Sequence, residues 1–153
     1  MKIRDFLSAA DVAVDVRAAD KASLLKALAG RAAAAVNLPA ETVAAEIEKR
    51  DDLGSTGIGR GVAIPHARLR EVRKPFALLA RLKNPIEFDA VDGEPVDLVF
   101  LLILPAASQL DQLNCLAAAA RTLRDAEAVR RMRDATSTTE LYRAVTEDKG
   151  CPR

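Results

Sequence analysis

Residues 96–105 read VDLVFLLILP, the most apolar stretch of the chain. A near-continuous apolar run that stops at a proline is typical of a strand buried on both faces, in a sheet that helices cover on either side. The run is far too short to cross a membrane as a helix. We therefore expect a central strand at 96–104, ended by Pro105, with helices packed on both of its faces.

The segments on either side of this strand have the pattern of helices and further strands. Asp20 is placed to cap a helix from Lys21 to Val36, and a second helix begins near Pro39 and runs to about Arg50. The other predicted elements are strands at 62–64 and 76–82, a partly alternating segment at 85–91, and helices from Ser108 onward, at 126–133 and at 138–145. Helices on both sides of the strands predict an α/β fold around one sheet, and the length fits a single domain at 1–153.

The composition excludes several classes of protein. The 153 residues include 23 Lys+Arg and 22 Asp+Glu, for a net charge of +1, and 3% are aromatic. This balance argues against nucleic-acid binding and against a base-stacking platform. The first residues carry charges of both signs and lead into no apolar segment, so we expect no signal peptide, no membrane insertion and a cytoplasmic location.

Cysteine and histidine are scarce. The chain has one histidine and two cysteines, Cys115 and Cys151. Two distant cysteines make neither a disulfide framework nor, with one histidine, a metal site. We expect no metal and no cofactor, a buried thiol at Cys115 and a mobile end of the chain at Cys151.

The candidate chemistry lies in residues 54–66, which read GSTGIGRGVAIPH and end on the only histidine, His66. A lone histidine is more often structural than functional. This one follows Pro65 at the end of a predicted strand, where α/β folds place ligands, and it neighbours glycines whose N–H groups could face an anion. His66 is therefore the candidate reactive residue.

The glycine-rich window before His66 admits two interpretations. Gly57, Gly59 and Gly61 alternate, which fits neither a P-loop nor a dinucleotide fingerprint. In an extended segment they share one bare face, open to a ligand or partner, but an irregular strand or turn explains them equally. Ser55 and Thr56 could donate hydrogen bonds to a phosphate, or cap a turn.

Arg50 and Arg68 flank the window. An arginine fork fits phosphate oxygens, although a solvated surface role is the ordinary one for a basic residue. A small hydrolase that uses Ser55 and His66 is a further alternative, but the chain has no Gly-x-Ser-x-Gly elbow.

Two segments carry a family resemblance. Residues 54–66 resemble the phosphorylation motif of the mannitol/fructose-type enzyme IIA family of the bacterial phosphotransferase system. Residues 85–98, PIEFDAVDGEPVDL, resemble its nitrogen-regulatory (PtsN-like) branch. The likeness includes Arg50 and the strand end at Pro105, and it covers about 6–145, the expected core of the domain.

The resemblance implies a single mixed, mainly five-stranded sheet with helices on both faces. It implies that His66 accepts phosphate, at Nε2, from a phosphohistidine on a small HPr/NPr-like carrier protein, with Arg50 near the site. Such a chain carries a phosphoryl group and regulates other proteins by its phosphorylation state, without a metal, a cofactor or turnover of a small molecule. A homodimer is possible, and the alternative is a module that binds its targets unphosphorylated.

One position departs from the family pattern. The family usually has a second histidine near the start of the helix after Pro105, and the aligned residue here is Gln112. A glutamine amide donates hydrogen bonds to a phosphate but takes no positive charge. We therefore expect an altered stability or transfer rate of the phosphohistidine, with the site retained.

Overall fold

The computed structural model describes residues 1–147. Two short 3₁₀ turns, at Ile3–Asp5 and Ala9–Asp11, precede the first strand. The strands are β1 (Val12–Val16), β2 (Gly57–Gly59), β3 (Val62–Ala63), β4 (His66–Leu69), β5 (Phe76–Ile86) and β6 (Val96–Pro105). The helices are α1 (Lys21–Val36), α2 (Ala40–Asp52), α3 (Gln109–Arg124), α4 (Ala126–Asp134) and α5 (Thr138–Thr146).

The sheet is mixed and has β6 at its centre. On one side, β6 pairs antiparallel with β5, which pairs parallel with the edge strand β1. On the other side, β3 and β4 both run parallel to β6, and β2 pairs antiparallel with β3. The two short strands continue each other along β6, since Val62 lies opposite Leu98 and His66 lies opposite Leu102. The sheet thus has six strands in five positions, because Ile64 and Pro65 separate β3 from β4 and a proline has no N–H to donate to the ladder.

Alternate residues of β6 belong to two separate hydrophobic layers. Leu98, Phe100, Leu102 and Leu104 pack with α3, α4 and α5, whereas Val99, Leu101 and Ile103 pack with α1 and α2. All seven side chains are fully buried. The predicted doubly buried central strand and the helical layers on both of its faces are confirmed.

The predicted bounds of the two N-terminal helices also agree closely with the structure. Helix α1 has the predicted bounds, and the Asp20 carboxylate caps it by accepting a 2.8 Å hydrogen bond from the Ser23 N–H. Helix α2 begins one residue later than expected, with Pro39 as its N-cap, and ends at Asp52. Arg50 therefore lies in the last turn of α2, where the helix dipole favours a cation.

The sequence did not predict β1 or β4. Strand β1 lies at an edge of the sheet, and its sequence shows little alternation of apolar and polar residues. Asp15 interrupts its extended backbone with a φ of 54°. Strand β4 has only four residues, and His66 and Arg68 interrupt its apolar pattern. Strand β5 also continues beyond the predicted end, to Ile86.

No helix within residues 1–147 is long and apolar enough to cross a membrane. Cys115 lies buried in α3, as expected for a structural thiol. Cys151 lies outside the described residues.

Candidate functional site

His66 is the first residue of β4, and a backbone carbonyl fixes the orientation of its ring. The Nδ1 atom lies 3.0 Å from the carbonyl oxygen of Ile64. A carbonyl oxygen only accepts hydrogen bonds, so Nδ1 carries the proton and donates it. In the neutral ring the lone pair is therefore on Nε2, which leaves that atom able to act as a nucleophile.

The surroundings of His66 favour this neutral ring. Burial lowers the pKa of His66 below its ordinary value, because a charged imidazolium loses hydration there. The hydrogen bond to Ile64 opposes this shift, and the positive charges of Arg50 and Arg68 add to it. The ring is thus neutral at pH 7, with a free lone pair on Nε2.

Two cavities open on His66. The first, of about 220 Å³, is also lined by Glu46, Lys49, Arg50, Leu53, Ala67 and Arg68. The second, of about 290 Å³, is also lined by Arg68, Leu104, Gln109, Gln112, Leu113 and Leu116. The first cavity is basic on balance, whereas Arg68 is the only charged residue within 1–147 that lines the second.

Arg50 reaches the first cavity from the end of α2. Its Nη1 atom donates a 2.9 Å hydrogen bond to the carbonyl oxygen of Gly54, which holds the guanidinium at the start of the glycine-rich window. The next residue, Asp51, is paired with Lys21 at 2.5 Å and accepts a 3.3 Å hydrogen bond from Thr56. These bonds fix the end of α2 against the loop that leads to His66.

The two hydroxyl residues of the window are engaged in the fold. Ser55 Oγ donates to the carbonyl oxygen of Phe88 at 2.9 Å and accepts from the N–H of Gly57 at 3.1 Å. Thr56 is buried and donates to Asp51. Neither residue lines a cavity beside His66. The contacts are those of turn formation, and they lend no support to a hydrolase in which Ser55 acts with His66.

The expectation of an open glycine face is wrong. A Cβ at Gly57 would lie 2.9 Å from Ala90, and one at Gly59 would lie 3.2 Å from the Asp92 carboxylate. A Cβ at Gly61, where φ is +80°, would lie 2.5 Å from the guanidinium of Arg133. Groups from distant parts of the chain occupy this face. The glycines allow that close packing, and none of them lines a cavity beside His66.

Gln112 lies where the resemblance places it, beside the second cavity and within α3. Its side-chain amide nitrogen donates to the carbonyl oxygens of Pro105, at 3.0 Å, and Ala106, at 3.2 Å. The amide nitrogen thus has two backbone acceptors. The atom left over is the Oε1 acceptor, so the donor that we expected toward a phosphate already has partners.

Each of the two cavities has an exposed apolar residue in its wall. Leu53, which is 83% exposed, lines the first cavity, and Leu113, which is 67% exposed, lines the second.

Sequence analysis missed two groups at the site. The Ile64 carbonyl could be found only from the bend at Pro65. Arg68 was noted merely as a flanking charge. A strand assignment for 66–69 would have shown that Arg68 shares a face with His66, because side chains alternate along a strand.

Comparison with known proteins identifies the family. The family model described as "Phosphoenolpyruvate-dependent sugar phosphotransferase system, EIIA 2" matches residues 5–148. The nitrogen regulatory protein of Escherichia coli K12 is 39% identical over 138 residues, which are 90% of this chain and 85% of that protein. The nitrogen regulatory protein IIA-Ntr of Neisseria meningitidis superposes with a TM-score of 0.89 at 28% identity, over 94% of this chain and 99% of its own.

A more distant structure shares the fold alone. The mannitol enzyme IIA of Escherichia coli, solved in complex with phosphorylated enzyme IIB, has a TM-score of 0.75 at 17% identity, over 90% of this chain and 95% of its own. The matches to the family and to the nitrogen regulatory proteins cover nearly the whole chain. The chain therefore belongs to the enzyme IIA type 2 family of the phosphoenolpyruvate-dependent phosphotransferase system.

Proposed function

We propose that Nε2 of His66 accepts a phosphoryl group from a phosphohistidine on a small carrier protein, and that the phosphorylation state of His66 controls which regulatory target this protein binds. The carrier is of the HPr/NPr type that the resemblance implies. The observation that supports the proposal is the hydrogen bond from Nδ1 to the Ile64 carbonyl. It leaves Nε2 unprotonated in a ring whose pKa is already lowered.

The transfer is a single in-line displacement. The Nε2 lone pair attacks phosphorus and forms the new N–P bond, while the N–P bond on the carrier breaks and the carrier's imidazole leaves with the electron pair. The Nδ1 proton stays on His66, where the Ile64 carbonyl stabilises the charge that the ring gains. Because the leaving group and the nucleophile are both imidazoles, the reaction needs no general acid.

Arg50 provides charge for the transferred group. Its guanidinium lines the same cavity as His66 and is held by Gly54. A fixed fork of N–H donors stabilises negative charge on the phosphoryl oxygens without reorganising during transfer. Ser55, Thr56 and the glycines support the loop in this proposal, and direct phosphate contacts from them are not needed.

The surface around the two cavities suits a weak, transient carrier complex. Leu53 and Leu113 are exposed apolar residues that line the first and the second cavity, and Lys49, Arg50 and Arg68 add positive charge. A carrier with a small apolar patch beside its own phosphohistidine fits this surface. Phosphorylation then adds negative charge at its centre and changes which target docks. With such partners, the proposal includes a cytoplasmic location for the protein.

Mass spectrometry of the intact protein tests the proposal. The wild type and His66→Ala are incubated with phosphoenolpyruvate, enzyme I and the histidine phosphocarrier. We expect one acid-labile phosphate on the wild type and none on the variant. An unlabelled wild type beside a visibly phosphorylated carrier would overturn the phosphoacceptor role and favour the alternative of an unphosphorylated binding module. Labelled His66→Ala would overturn the assignment of the residue.

A further inference from the structure

We propose that Arg68 binds the phosphoryl group of His66 on the side of Gln112 and supplies the positive charge that this side of the site otherwise lacks. The inference rests on the proposed function of His66. It assigns the other side of the phosphoryl group to Arg50. The phosphate site thus consists of two arginines, one on α2 and one on β4.

The position of Arg68 on β4 supports this role. His66 and Arg68 are two residues apart in the strand, and the residues that alternate with them, Ala67 and Leu69, are 2% and 3% exposed on the opposite face. In the described part of the chain, His66 and Arg68 are the two residues that line both cavities. They also lie on a strand that pairs with the central strand β6, which fixes their backbones relative to each other.

The guanidinium of Arg68 is available for a ligand. Within residues 1–147 it makes no hydrogen bond or ion pair, whereas the guanidinium of Arg50 is bonded to Gly54. Its charge also acts on His66, where it contributes to lowering the pKa. A planar fork with all of its donors free is the group best suited to two phosphoryl oxygens.

The second cavity has no other source of charge. Among residues 1–147, its remaining lining residues are apolar or amides, and the amide nitrogen of Gln112 already donates to the carbonyl oxygens of Pro105 and Ala106. The Oε1 atom of Gln112 is an acceptor and offers nothing to a phosphoryl oxygen. Unless Arg68 binds there, oxygens on this side face no cation.

The equilibrium of phosphoryl transfer tests the inference. Phosphorylated carrier and this protein are mixed at equal concentration, and the ratio of the two phosphorylated proteins is measured at equilibrium. This ratio reports the stability of the phosphorylated site and does not depend on how fast the proteins dock. We expect Arg68→Gln to shift it toward the carrier by roughly ten-fold, as for the loss of one partly solvated charge-assisted contact.

A matched control separates binding from net charge. Arg70 is exposed just after β4 and lines neither cavity, so Arg70→Gln removes the same charge without touching the site. We expect its ratio to stay within about two-fold of the wild type, as for exposed charges generally. Equal shifts for Arg68→Gln and Arg70→Gln would overturn the inference.

A second variant tests whether Arg68 supplies the charge that a histidine at position 112 would otherwise carry. Gln112→His, introduced into Arg68→Gln, puts an ionisable ring beside the cavity. We expect it to recover most of the lost ratio at pH 6 and less at pH 8, because only the protonated ring carries charge. No recovery at either pH would contradict the idea that Arg68 supplies the charge missing at Gln112. If wild type takes no phosphate from a phosphorylated carrier, the proposed function fails as well, and this outcome is distinct from all those above.

Discussion

The Nδ1 atom of His66 donates a hydrogen bond to the carbonyl oxygen of Ile64, two residues earlier in the chain, over 3.0 Å. Pro65 lies between them, and its own carbonyl oxygen accepts a hydrogen bond from the N–H of Leu102 in β6 at 2.9 Å, which holds this link against the central strand. A two-residue bend between β3 and β4 thereby selects the tautomer. It leaves the nucleophilic lone pair on Nε2 before any partner binds.

The first prediction concerns the pKa of His66. Burial and the two arginines hold this pKa below its ordinary 6.5. Since the chain has a single histidine, one imidazole signal in the proton NMR spectrum of tag-free protein reports it directly. We expect a midpoint below 6.5, and a higher midpoint in Arg68→Gln than in wild type. A wild-type midpoint above 7 would contradict the described environment.

The same shift predicts how stability depends on pH. Because the pKa is lowered on folding, the unfolded chain binds more protons between the two pKa values. The contribution of His66 to the free energy of unfolding is therefore complete above about pH 6.5 and is lost as the pH falls through the folded-state pKa. Urea unfolding of wild type and His66→Gln across pH 5 to 8 measures the difference. A difference that grows as the pH falls has the wrong sign for this account.

Gly61 provides a test of the close packing around the glycine-rich window. Its φ is +80°, and an added Cβ would lie 2.5 Å from Arg133 and 3.0 Å from Asp97. We expect Gly61→Ala to lower the free energy of unfolding by about 3 kcal/mol, from backbone strain and overpacking together. The matched control is Gly93→Ala, whose φ is +74° but whose Cβ position is open. Only the backbone cost of about 1 kcal/mol should appear there. Equal losses in urea unfolding would show that Arg133 gives way.

Arg50 is expected to act on phosphoryl transfer through its fork of donors. Arg50→Ala should slow phosphorylation by roughly a hundred-fold, the usual cost of one preorganised donor in a reacting site. Arg50→Lys keeps the charge but not the fork of donors, so its phosphorylation rate should lie between those of wild type and Arg50→Ala. Rapid-quench measurement of phosphate on His66 checks both variants. Arg70→Ala, which removes an exposed charge that lines neither cavity, is the control that should stay close to wild type.

The sequence predicts a strand or helix well where its apolar pattern is long and uninterrupted. Strand β6 and helix α1 are long and uninterrupted, so their bounds follow closely from the apolar run and from the Asp20 cap. Strand β1 is a short edge strand with Asp15 out of pattern, and β4 places two charged or polar side chains in four residues. Neither strand gives a periodic signal long enough to detect.

For the site, the sequence singles out His66 but not the contacts around it. Contacts from far along the chain decide those details. Ala90, Asp92 and Arg133 fill the face that seemed open at the glycines. The amide of Gln112 is engaged because α3 starts close to the end of β6. No local pattern carries that information, since it depends on how separate elements pack.

The effect of Gln112 can be measured in the phosphorylated protein. Gln112→His replaces an amide engaged with two backbone carbonyls by an ionisable ring. We expect a change in the lifetime of the phosphohistidine or in its transfer rate to a partner, most marked below pH 7, where the new ring is charged. Gln112→Asn, whose shorter amide adds no charge, is the control. Unchanged transfer and hydrolysis rates in Gln112→His would show that this position does not act on the phosphoryl group.

The most direct test of the account identifies the phosphorylated atom. The protein is labelled with ¹⁵N in histidine, phosphorylated through the carrier and examined by NMR for coupling between ¹⁵N and ³¹P. We predict coupling at Nε2 of His66, with the proton still on Nδ1. Coupling at Nδ1 would contradict the role of the Ile64 hydrogen bond, and the absence of any ¹⁵N–³¹P coupling in phosphorylated protein would contradict His66 as the acceptor.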